Sequence, residues 1–210
     1  MPATEADRAR DAAADLALIR EAAREAGRIA LSFFGNNPEV WLKSGQSPVS
    51  AADYAVDRFL RETLTAARPD YGWLSEETAD TPDRLSARRT FVVDPIDGTR
   101  AFIGGEATWC VSIAVVEEGR PLAGVLDCPV HEEIYEASLG GGAFKGGARL
   151  QVRPAGVSPL VAGPKTMFSA AGIAWPDDFR RGPYYPSLAY RVAAVANGVL
   201  DATYVKPNAH

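Results

Sequence analysis

The most informative segment of the chain is Val92–Phe102, which reads VVDPIDGTRAF. Its two carboxylates, Asp94 and Asp97, stand three residues apart behind an apolar run, with a proline and a glycine close by. Because proline stiffens the backbone and glycine frees it, we expect a turn on which both carboxylates and the Ile96 carbonyl converge. Oxygen ligands of this kind suit Mg²⁺ or Mn²⁺ better than zinc or copper. The segment therefore predicts a divalent metal site.

Gly98 and Thr99 continue this segment into a predicted helix. The unpaired N–H groups at a helix start, together with its positive dipole end, attract anions, so a phosphate could bind beside the metals. The alternative is an Asp-rich turn with an ordinary helix cap, which is a common structural feature. A second acidic segment favours the metal site.

That second segment is the pair Glu76 and Glu77, which follows the apolar run Tyr71–Leu74. Thr90–Val93 leads into Asp94 in the same way, so both runs predict strands that end in acidic residues. Successive strand residues alternate in direction, so we expect Glu77 to support Glu76 from outside the ligand shell.

Three stretches have the three-to-four spacing of apolar residues that predicts helices. They are Glu5 to about Phe34, Ser50 to the residue before Arg68, and Ser187–Asn197, which Ser187 caps and Gly198 ends. In the last of these, we expect Leu188, Val192 and Val195 to share one face.

Shorter apolar runs predict strands at Cys110–Val116, Pro121–Asp127, Glu133–Ser138 and Asp201–Val205. The glycine triplet at 140–142 lacks the Gly-Lys-Ser/Thr of a phosphate-binding loop, so we expect a hairpin there. This mixed order of helices and strands predicts an α+β layered fold.

The composition is that of an ordinary globular protein of 210 residues, 47% hydrophobic and 23% charged. A net charge of −5, from 22 basic and 27 acidic side chains, gives no footprint for nucleic acid and no basic patch for a membrane. No apolar run reaches the ~20 residues of a membrane helix, and the acidic N-terminus has no signal-peptide pattern. We therefore expect a cytoplasmic protein with a small-molecule substrate.

Cysteine and histidine offer little further chemistry. Cys110 and Cys128 lie in apolar surroundings, where we expect buried free thiols rather than a disulfide. His131 and His210 are too few and too far apart for a zinc site.

The segment SEET at Ser75–Thr78, followed by VVDPIDGTRAF, resembles the paired signature of the inositol monophosphatase family. The likeness extends to Lys43–Asp53, Trp109–Ala137 and Ser187–Tyr204. The resemblance implies a layered α/β/α/β/α sandwich, a homodimer, two or three Mg²⁺ ions with Mn²⁺ as a substitute, and often inhibition by lithium. It also implies release of phosphate from a small soluble phosphomonoester by direct attack of water, without a covalent intermediate.

The resemblance also assigns roles to single residues. The implied metal ligands are Glu76, Asp94, Asp97 and the carbonyl of Ile96. Glu76 and Thr99 would help to activate the attacking water. The implied substrate-binding residues are Asp97, Gly98 and Thr99, the last two through their N–H groups.

Two further residues have competing interpretations. Asp53 matches a carboxylate near a weaker third ion, and we count it among the catalytic residues, yet Ser50–Asp53 also has the pattern of a helix capping box. Lys43 could neutralise a phosphate or be a solvated loop cation, so we leave it outside the core site.

Which phosphate is the substrate stays open, with inositol monophosphate and a 3′(2′),5′-bisphosphate nucleotide as candidates. Phe102–Gly105 with Trp109 leans towards the bisphosphate-nucleotidase and histidinol-phosphatase branches, although Trp109 could equally be core packing. The alternatives are a histidinol-phosphate phosphatase and a non-catalytic binding protein on the same scaffold. A haloacid dehalogenase-like phosphatase is excluded because Pro95 stands where that family has its first Asp.

The family pattern expects a Trp-Asp motif, whose Asp binds the second metal, just after the strand that ends near Val205. The sequence instead stops at His210. We therefore expect a single phosphatase domain incomplete at its C-terminus, with an N-terminal lobe of about residues 1–150 and the start of a second lobe at about 151–210. Such a chain would bind the first metal better than the second.

Overall fold

The computed structural model describes residues 5–43, 47–154, 156–164 and 179–205. Helix α1 (Glu5–Phe33) opens the chain. Its apolar residues recur every three or four positions, and Ile19, Ala23 and Ala26 are fully buried as a result. The first predicted helix is confirmed.

Helix α2 (Ala51–Ala67) follows a hairpin of two short strands, β1 (Val40–Leu42) and β2 (Pro48–Ser50). Both the backbone N–H and the hydroxyl of Ser50 donate to Asp53 Oδ2, at 2.8 and 2.6 Å. The predicted capping box therefore exists, and it fixes the start of α2.

A seven-stranded sheet forms the centre of the molecule. In order across the sheet, its strands are β3 (Gly72–Ser75), β4 (Arg89–Asp97), β5 (Cys110–Glu117), β6 (Arg120–Cys128), β7 (Glu133–Ser138), β8 (Gly142–Lys145) and β9 (Ala148–Arg149). β3 and β4 are parallel, and every other neighbouring pair is antiparallel. The predicted meander is confirmed as β5 to β7, and the glycine triplet lies at the hairpin between β7 and β8.

The prediction of a turn at Asp94–Asp97 is wrong. β4 continues through Asp97, which pairs with Cys110, and the register of pairing to β5 shifts between Asp94 and Asp97. This irregularity bends the strand while keeping it in the sheet, so it re-aims the side chains without ending the strand. A short helix, α3 (Thr99–Ile103), then begins where the sequence predicts one.

The large sheet is covered on both faces. α1 and α2 pack on one face against side chains such as Phe91, Val111 and Ile113. Because successive strand residues alternate in direction, Cys110 faces the other side, where it packs with Cys128 and with α4 (Leu188–Ala196). Both cysteines are buried free thiols, as predicted.

A second, parallel sheet lies beyond α4, with its strands in the order β11 (Arg180–Arg181), β10 (Leu160–Ala162) and β12 (Ala202–Thr203). β12 is shorter than the predicted strand. The described residues thus stack helices, sheet, helix and sheet, and the predicted α+β layered fold is confirmed.

The predicted ends of α4 are confirmed, but its predicted buried face is wrong. Ala193 and Ala194 are buried, whereas Val192 is 50% exposed. Ala193 packs towards the large sheet and Ala194 towards the small one. A helix between two layers needs small residues where both layers approach closely, and this requirement outweighs the apolar pattern.

Two smaller expectations concern membrane-spanning helices and the second histidine. Among the described residues, no helix is both long and apolar enough to cross a membrane. His210, which the sequence excludes as a zinc ligand, lies outside the described residues.

Candidate active site

The parallel pairing of β3 and β4 brings the two acidic segments together. Ser75 pairs with Val93, and the Glu76 N–H donates to the Val93 carbonyl at 3.2 Å. Glu76, directly after β3, and Asp94 of β4 are the next residues along the two segments, and they therefore lie side by side. Both line a cleft of about 580 Å³, which also includes Asp97.

Asp94 is partly buried beside the other carboxylates of the cleft. Its Oδ1 accepts a hydrogen bond from the Ile96 N–H at 3.1 Å, across the irregular part of β4. Burial raises the pKa of Asp94 well above its usual value, and the nearby carboxylates of Asp97, Glu76 and Asp53 raise it further. Four carboxylates thus contribute negative charge to one small volume.

Asp97 lies against the start of α4. Its Oδ2 accepts hydrogen bonds from the Ser187 hydroxyl and, at 2.7 Å, from the Ala189 N–H. Burial raises the pKa of Asp97, while Ser187 and the N–H groups of α4 oppose that rise. A carboxylate at a helix N-terminus is stabilised by the free N–H groups and the dipole, so α4 fixes the position of Asp97.

Gly98 makes this contact possible. Its φ of +96° is one that residues with a Cβ rarely adopt, and an added Cβ would lie 3.2 Å from the Thr108 carbonyl oxygen and 3.3 Å from Ser187 Cβ. Glycine therefore lets the backbone turn from β4 into α3 while α4 packs directly on the turn.

Thr99 and Asp53 are in contact across the cleft wall. Thr99 Oγ1 lies 3.0 Å from the Ile96 carbonyl oxygen and 3.4 Å from Asp53 Oδ1. Burial raises the pKa of Asp53, and its hydrogen bonds with Ser50 oppose the shift. Asp53 therefore combines both interpretations, since Oδ2 caps α2 and Oδ1 reaches the candidate site.

Lys43 is closer to the site than the sequence suggests. Its Nζ lies 2.5 Å from Glu77 Oε1 and 3.5 Å from Glu76 Oε1. Lys43 therefore bridges the two glutamates, and Glu77 is connected to Glu76 through this cation. Lys43 lies in a loop that has no helix or strand pattern, so the sequence gave no indication that it pairs with both glutamates.

The donors suit a hard divalent cation, because carboxylates and a backbone carbonyl are the ligands that Mg²⁺ prefers. Within the described ranges, no three Asp, Glu, His or Cys side chains form a ready-made metal cluster. Each carboxylate instead has a protein partner: the Ile96 N–H for Asp94, the start of α4 for Asp97, and Lys43 for Glu76.

Comparison with known proteins adds the decisive observation. A profile of the inositol monophosphatase family matches residues 11–209, nearly the whole chain. The chain belongs to the inositol monophosphatase family. The resemblance of its two acidic segments to the family signature is thereby confirmed.

Individual members of this family are similar to the chain over about two thirds of its length. It is 38% identical to a histidinol-phosphatase of Chlorobaculum parvum, over 66% of this chain and 53% of that protein. It is 37% identical to an inositol-1-monophosphatase of Rhizobium meliloti, over 65% and 52%. It is 35% identical to a 3′(2′),5′-bisphosphate nucleotidase of Aggregatibacter actinomycetemcomitans, over 60% and 48%. The matches thus cover about half the length of these relatives.

The fold is also that of the family. The crystal structure of the extragenic suppressor protein suhB of Bartonella henselae superposes with a TM-score of 0.78 at 27% identity, covering 89% of this chain and 76% of that one.

Sequence reasoning missed residues that support the family signature from other elements. Asp57 of α2 accepts hydrogen bonds from the Ser75 hydroxyl and, at 2.6 Å, from the Thr78 hydroxyl. Asp57 thereby holds both ends of the SEET segment. Asp57 occupies a position on the buried face of α2, where an apolar residue is expected. This unusual placement is the sequence signal that could have identified its role.

Trp109 belongs to the core and not to the cleft. It is fully buried, and its ring packs against Phe102 and Phe34 at centroid distances of 4.9 and 5.6 Å. The lean towards the bisphosphate-nucleotidase and histidinol-phosphatase branches therefore loses the support of Trp109.

Proposed function

We propose that the protein is a Mg²⁺-dependent phosphomonoesterase that acts on a small soluble phosphate. One observation carries the proposal: Glu76, Asp94 and Asp97 line the same cleft as Gly98 and Thr99. Three carboxylates suit hard cations, and cations beside free N–H groups suit a phosphate. Membership of a phosphatase family supports the same function.

In this proposal, Glu76, Asp94, Asp97 and the Ile96 carbonyl hold the metal ions. Bound Mg²⁺ supplies Lewis-acid stabilisation of the charge on phosphate and leaving oxygen, and it makes water a better nucleophile. Asp53 lies within reach of a third ion.

The chain's own groups position the reactants and move the proton. Thr99 Oγ1 takes the proton of the attacking water as its own proton passes towards Asp53 Oδ1, 3.4 Å away. The N–H groups of Gly98 and Thr99 donate to the phosphate oxygens. In this proposal Thr99 relays the proton and does not itself attack phosphorus, so we expect attack by water with inversion at phosphorus.

The substrate candidates are inositol 1-phosphate, histidinol phosphate and a 3′(2′),5′-bisphosphate nucleotide. Each of the three is supported by the name of a similar relative. The screen is phosphate release from each of them and from fructose 1,6-bisphosphate, with Mg²⁺ and with excess chelator. If no phosphate is released from any of these substrates in the presence of Mg²⁺, the proposed function is contradicted.

Asp97→Asn tests the metal assignment directly. Loss of a supporting group around a metal costs about 10- to 100-fold in activity, and we expect the loss of a direct ligand to exceed that. We expect an unchanged far-UV circular dichroism spectrum, because the amide keeps an oxygen to accept from Ala189. Asp80→Asn, an exposed carboxylate paired with Arg84, is the control and should keep full activity. Full activity in Asp97→Asn would show that Asp97 is not a metal ligand.

Homodimer formation, inhibition by lithium and a cytoplasmic location also belong to the proposal. Light scattering tests the first, and the phosphate-release assay with LiCl tests the second. Cell fractionation tests the third.

A further inference from the structure

Asp127 is a buried carboxylate that the proposed reaction does not use. It lies near the end of β6 and is 9% exposed, and its carboxylate contacts the backbone of α1, where a Cβ at Gly27 would collide with Oδ2. No hydrogen bond and no ion pair within the described part of the chain includes this carboxylate. Because a buried charge without a hydrogen-bond donor is costly, a partner from outside the chain is expected.

Asp127 lines a cavity between α1 and the segment that joins β6 to β7. The cavity has a volume of about 310 Å³, which is at the lower end of the range for small-molecule sites. None of the residues that line it also lines the active-site cleft. The cavity is therefore a separate candidate site for a small ligand.

The α1 side of this cavity is basic at one end and apolar at the other. Arg24, Arg28 and Leu31 recur at three-to-four spacing, so they share one face of α1 along about 10 Å of its axis. Each arginine forms an exposed ion pair with the glutamate three residues before it, and such pairs contribute little, so both guanidinium groups stay available to a further anion. Pro129 and Ile134 add apolar surface on the opposite side.

The missing partner of Asp127 is an N–H donor rather than a metal ion. Glu132 and Glu133 also line the cavity, but Glu132 is exposed and Glu133 is held in an ion pair with Lys145 at 2.7 Å. Among the residues that the structure describes, no three Asp, Glu, His or Cys side chains converge as ligands of a metal ion. An ammonium group, with three N–H donors and a positive charge, matches a single buried carboxylate.

We propose that this cavity binds a free α-amino acid with an apolar side chain. The α-ammonium group donates to the Asp127 carboxylate, and the α-carboxylate pairs with Arg24 and Arg28. The side chain of the ligand packs on the apolar part of the lining. An amine alone would leave the two arginines without the further anion, and a carboxylic acid alone would leave Asp127 without a donor, so only a ligand that carries both charges satisfies the whole cavity.

Isothermal titration calorimetry of the full chain tests this site, with L-leucine as the probe. A pH of about 8 keeps Asp127 ionised, because burial raises its pKa only to about 6. Three further compounds each lack one part of the ligand: 4-methylpentanoate lacks the ammonium group, 3-methylbutylamine lacks the carboxylate, and glycine lacks the apolar side chain. We expect L-leucine to bind with a Kd below about 1 mM, and each of the other three to bind at least about 10-fold more weakly.

Substitutions in the cavity separate the two charged contacts. Asp127→Asn keeps the shape of the side chain and removes a charge that is costly to bury, so it should fold, but binding of L-leucine should weaken by about 10- to 100-fold. The double variant Arg24→Gln/Arg28→Gln should reduce binding of L-leucine to the level of 3-methylbutylamine, because the arginines recognise only the carboxylate. Arg10→Gln, which removes an exposed arginine near the start of the same helix, is the control and should leave binding unchanged.

Several results would overturn the inference. No detectable binding of L-leucine to the wild type, or equal binding to the wild type and Asp127→Asn, would reject the site. If 3-methylbutylamine binds as tightly as L-leucine, the arginines take no part and the cavity does not recognise an amino acid. If 4-methylpentanoate binds as tightly, Asp127 is not the partner of the ligand. These measurements do not depend on phosphate release, so they stand apart from the test of the proposed function.

Discussion

Asp97 connects two parts of the chain that stand 90 residues apart, because its carboxylate accepts a hydrogen bond from the Ser187 hydroxyl. The same carboxylate is a proposed metal ligand, so the start of α4 determines where that ligand can lie. A small change at this contact should therefore affect both stability and activity. Gly98, the residue after Asp97, is the point where this coupling can be measured.

Gly98→Ala should destabilise the fold more than a glycine substitution that introduces backbone strain alone. The positive φ of Gly98 costs about 1–3 kcal/mol for a residue with a Cβ, and the new Cβ would also press on Thr108 and Ser187. Gly105→Ala is the control, because Gly105 also has a positive φ but an added Cβ there meets nothing within 4 Å. Urea unfolding measures both. Equal losses of unfolding free energy in the two variants would show that the contact of Gly98 with α4 does not contribute to stability.

At the scale of elements, the packing of α1 on β6 includes a buried acid. A Cβ at Gly27 of α1 would collide with Asp127 Oδ2 and lie 2.8 Å from Pro129 Cγ. The helix backbone therefore lies directly on the carboxylate. Burial raises the pKa of Asp127 to about 6, against the opposing effect of Arg24 and Arg28.

Asp127→Asn should stabilise the protein at high pH only. The folded-state pKa lies above the unfolded value of 3.8, so the ionised carboxylate destabilises the fold. This penalty is full above about pH 6, declines as the pH falls and is absent below about pH 4. We expect a gain of about 1–2 kcal/mol near pH 8, reduced from the full shift by solvent screening, and no gain near pH 4.

Asp80→Asn should change stability in the opposite direction to Asp127→Asn at high pH. The hydrogen bond from Arg84 lowers the pKa of Asp80, so removal of this charge should destabilise the protein at high pH and have no effect at very low pH. Urea unfolding as a function of pH compares the two variants. A gain in Asp127→Asn that is independent of pH would contradict the burial explanation.

A second element-scale feature is the ionic network that joins α1 to the sheet. The Arg89 side chain of β4 is 7% exposed and forms ion pairs with Asp11 and Asp15 of α1 and with Glu117 of β5. Arg89→Met would leave Asp15 and Glu117 buried with fewer positive partners. We expect a loss of about 3 kcal/mol in the free energy of unfolding.

Arg88→Met is the matched control for this change. Arg88 pairs with the same Glu117 at 3.2 Å, but its side chain is 57% exposed, and exposed pairs contribute about 1 kcal/mol or less. Urea unfolding of the two variants should therefore differ by about 2 kcal/mol. Similar losses would mean that burial of the network contributes nothing.

At the scale of the whole molecule, the candidate site lies between the edge of the large sheet and the start of α4. Its carboxylates come from the residue after β3, from β4 and from α2, and β2, α3 and α4 contribute further walls. Like charges held together in this way oppose folding, because burial prevents water from screening them. A cation bound there should therefore stabilise the entire chain.

Thermal unfolding with and without Mg²⁺ tests this expectation. At about 100 times the dissociation constant, a ligand adds about 2.7 kcal/mol, which corresponds to about 5–10 °C in Tm for a domain of this size. Asp94→Asn should lose this increase, and its metal-free form should melt above the metal-free wild type, because one crowded charge is gone. Asp127→Asn, whose acid lies elsewhere, should keep the increase. If Mg²⁺ raises the Tm of Asp94→Asn as much as that of the wild type, the metal does not bind at Asp94 in this cleft.

Local features were readable from the sequence because local interactions decide them. The ends of α1, α2 and α4 follow from apolar spacing and from Ser50 and Ser187 as caps, and these are properties of neighbouring residues. The end of β3 before Glu76 follows from a short apolar run in the same way. The acidic signature also indicated the family, since each of its two segments has a fixed local spacing.

Other features depend on residues far apart in the chain, and only the tertiary structure decided them. The continuation of β4 through Asp97 depends on pairing with β5, and the buried face of α4 depends on two sheets that approach from opposite sides. Lys43 beside Glu76, Asp97 at the start of α4 and Arg191 in the cleft result from the same long-range packing. The sequence by itself determined the types of chemical group and their local order, because these are set by covalent neighbours. Which groups meet was decided by the packing of layers, since contacts between distant residues leave no periodic pattern in a single chain.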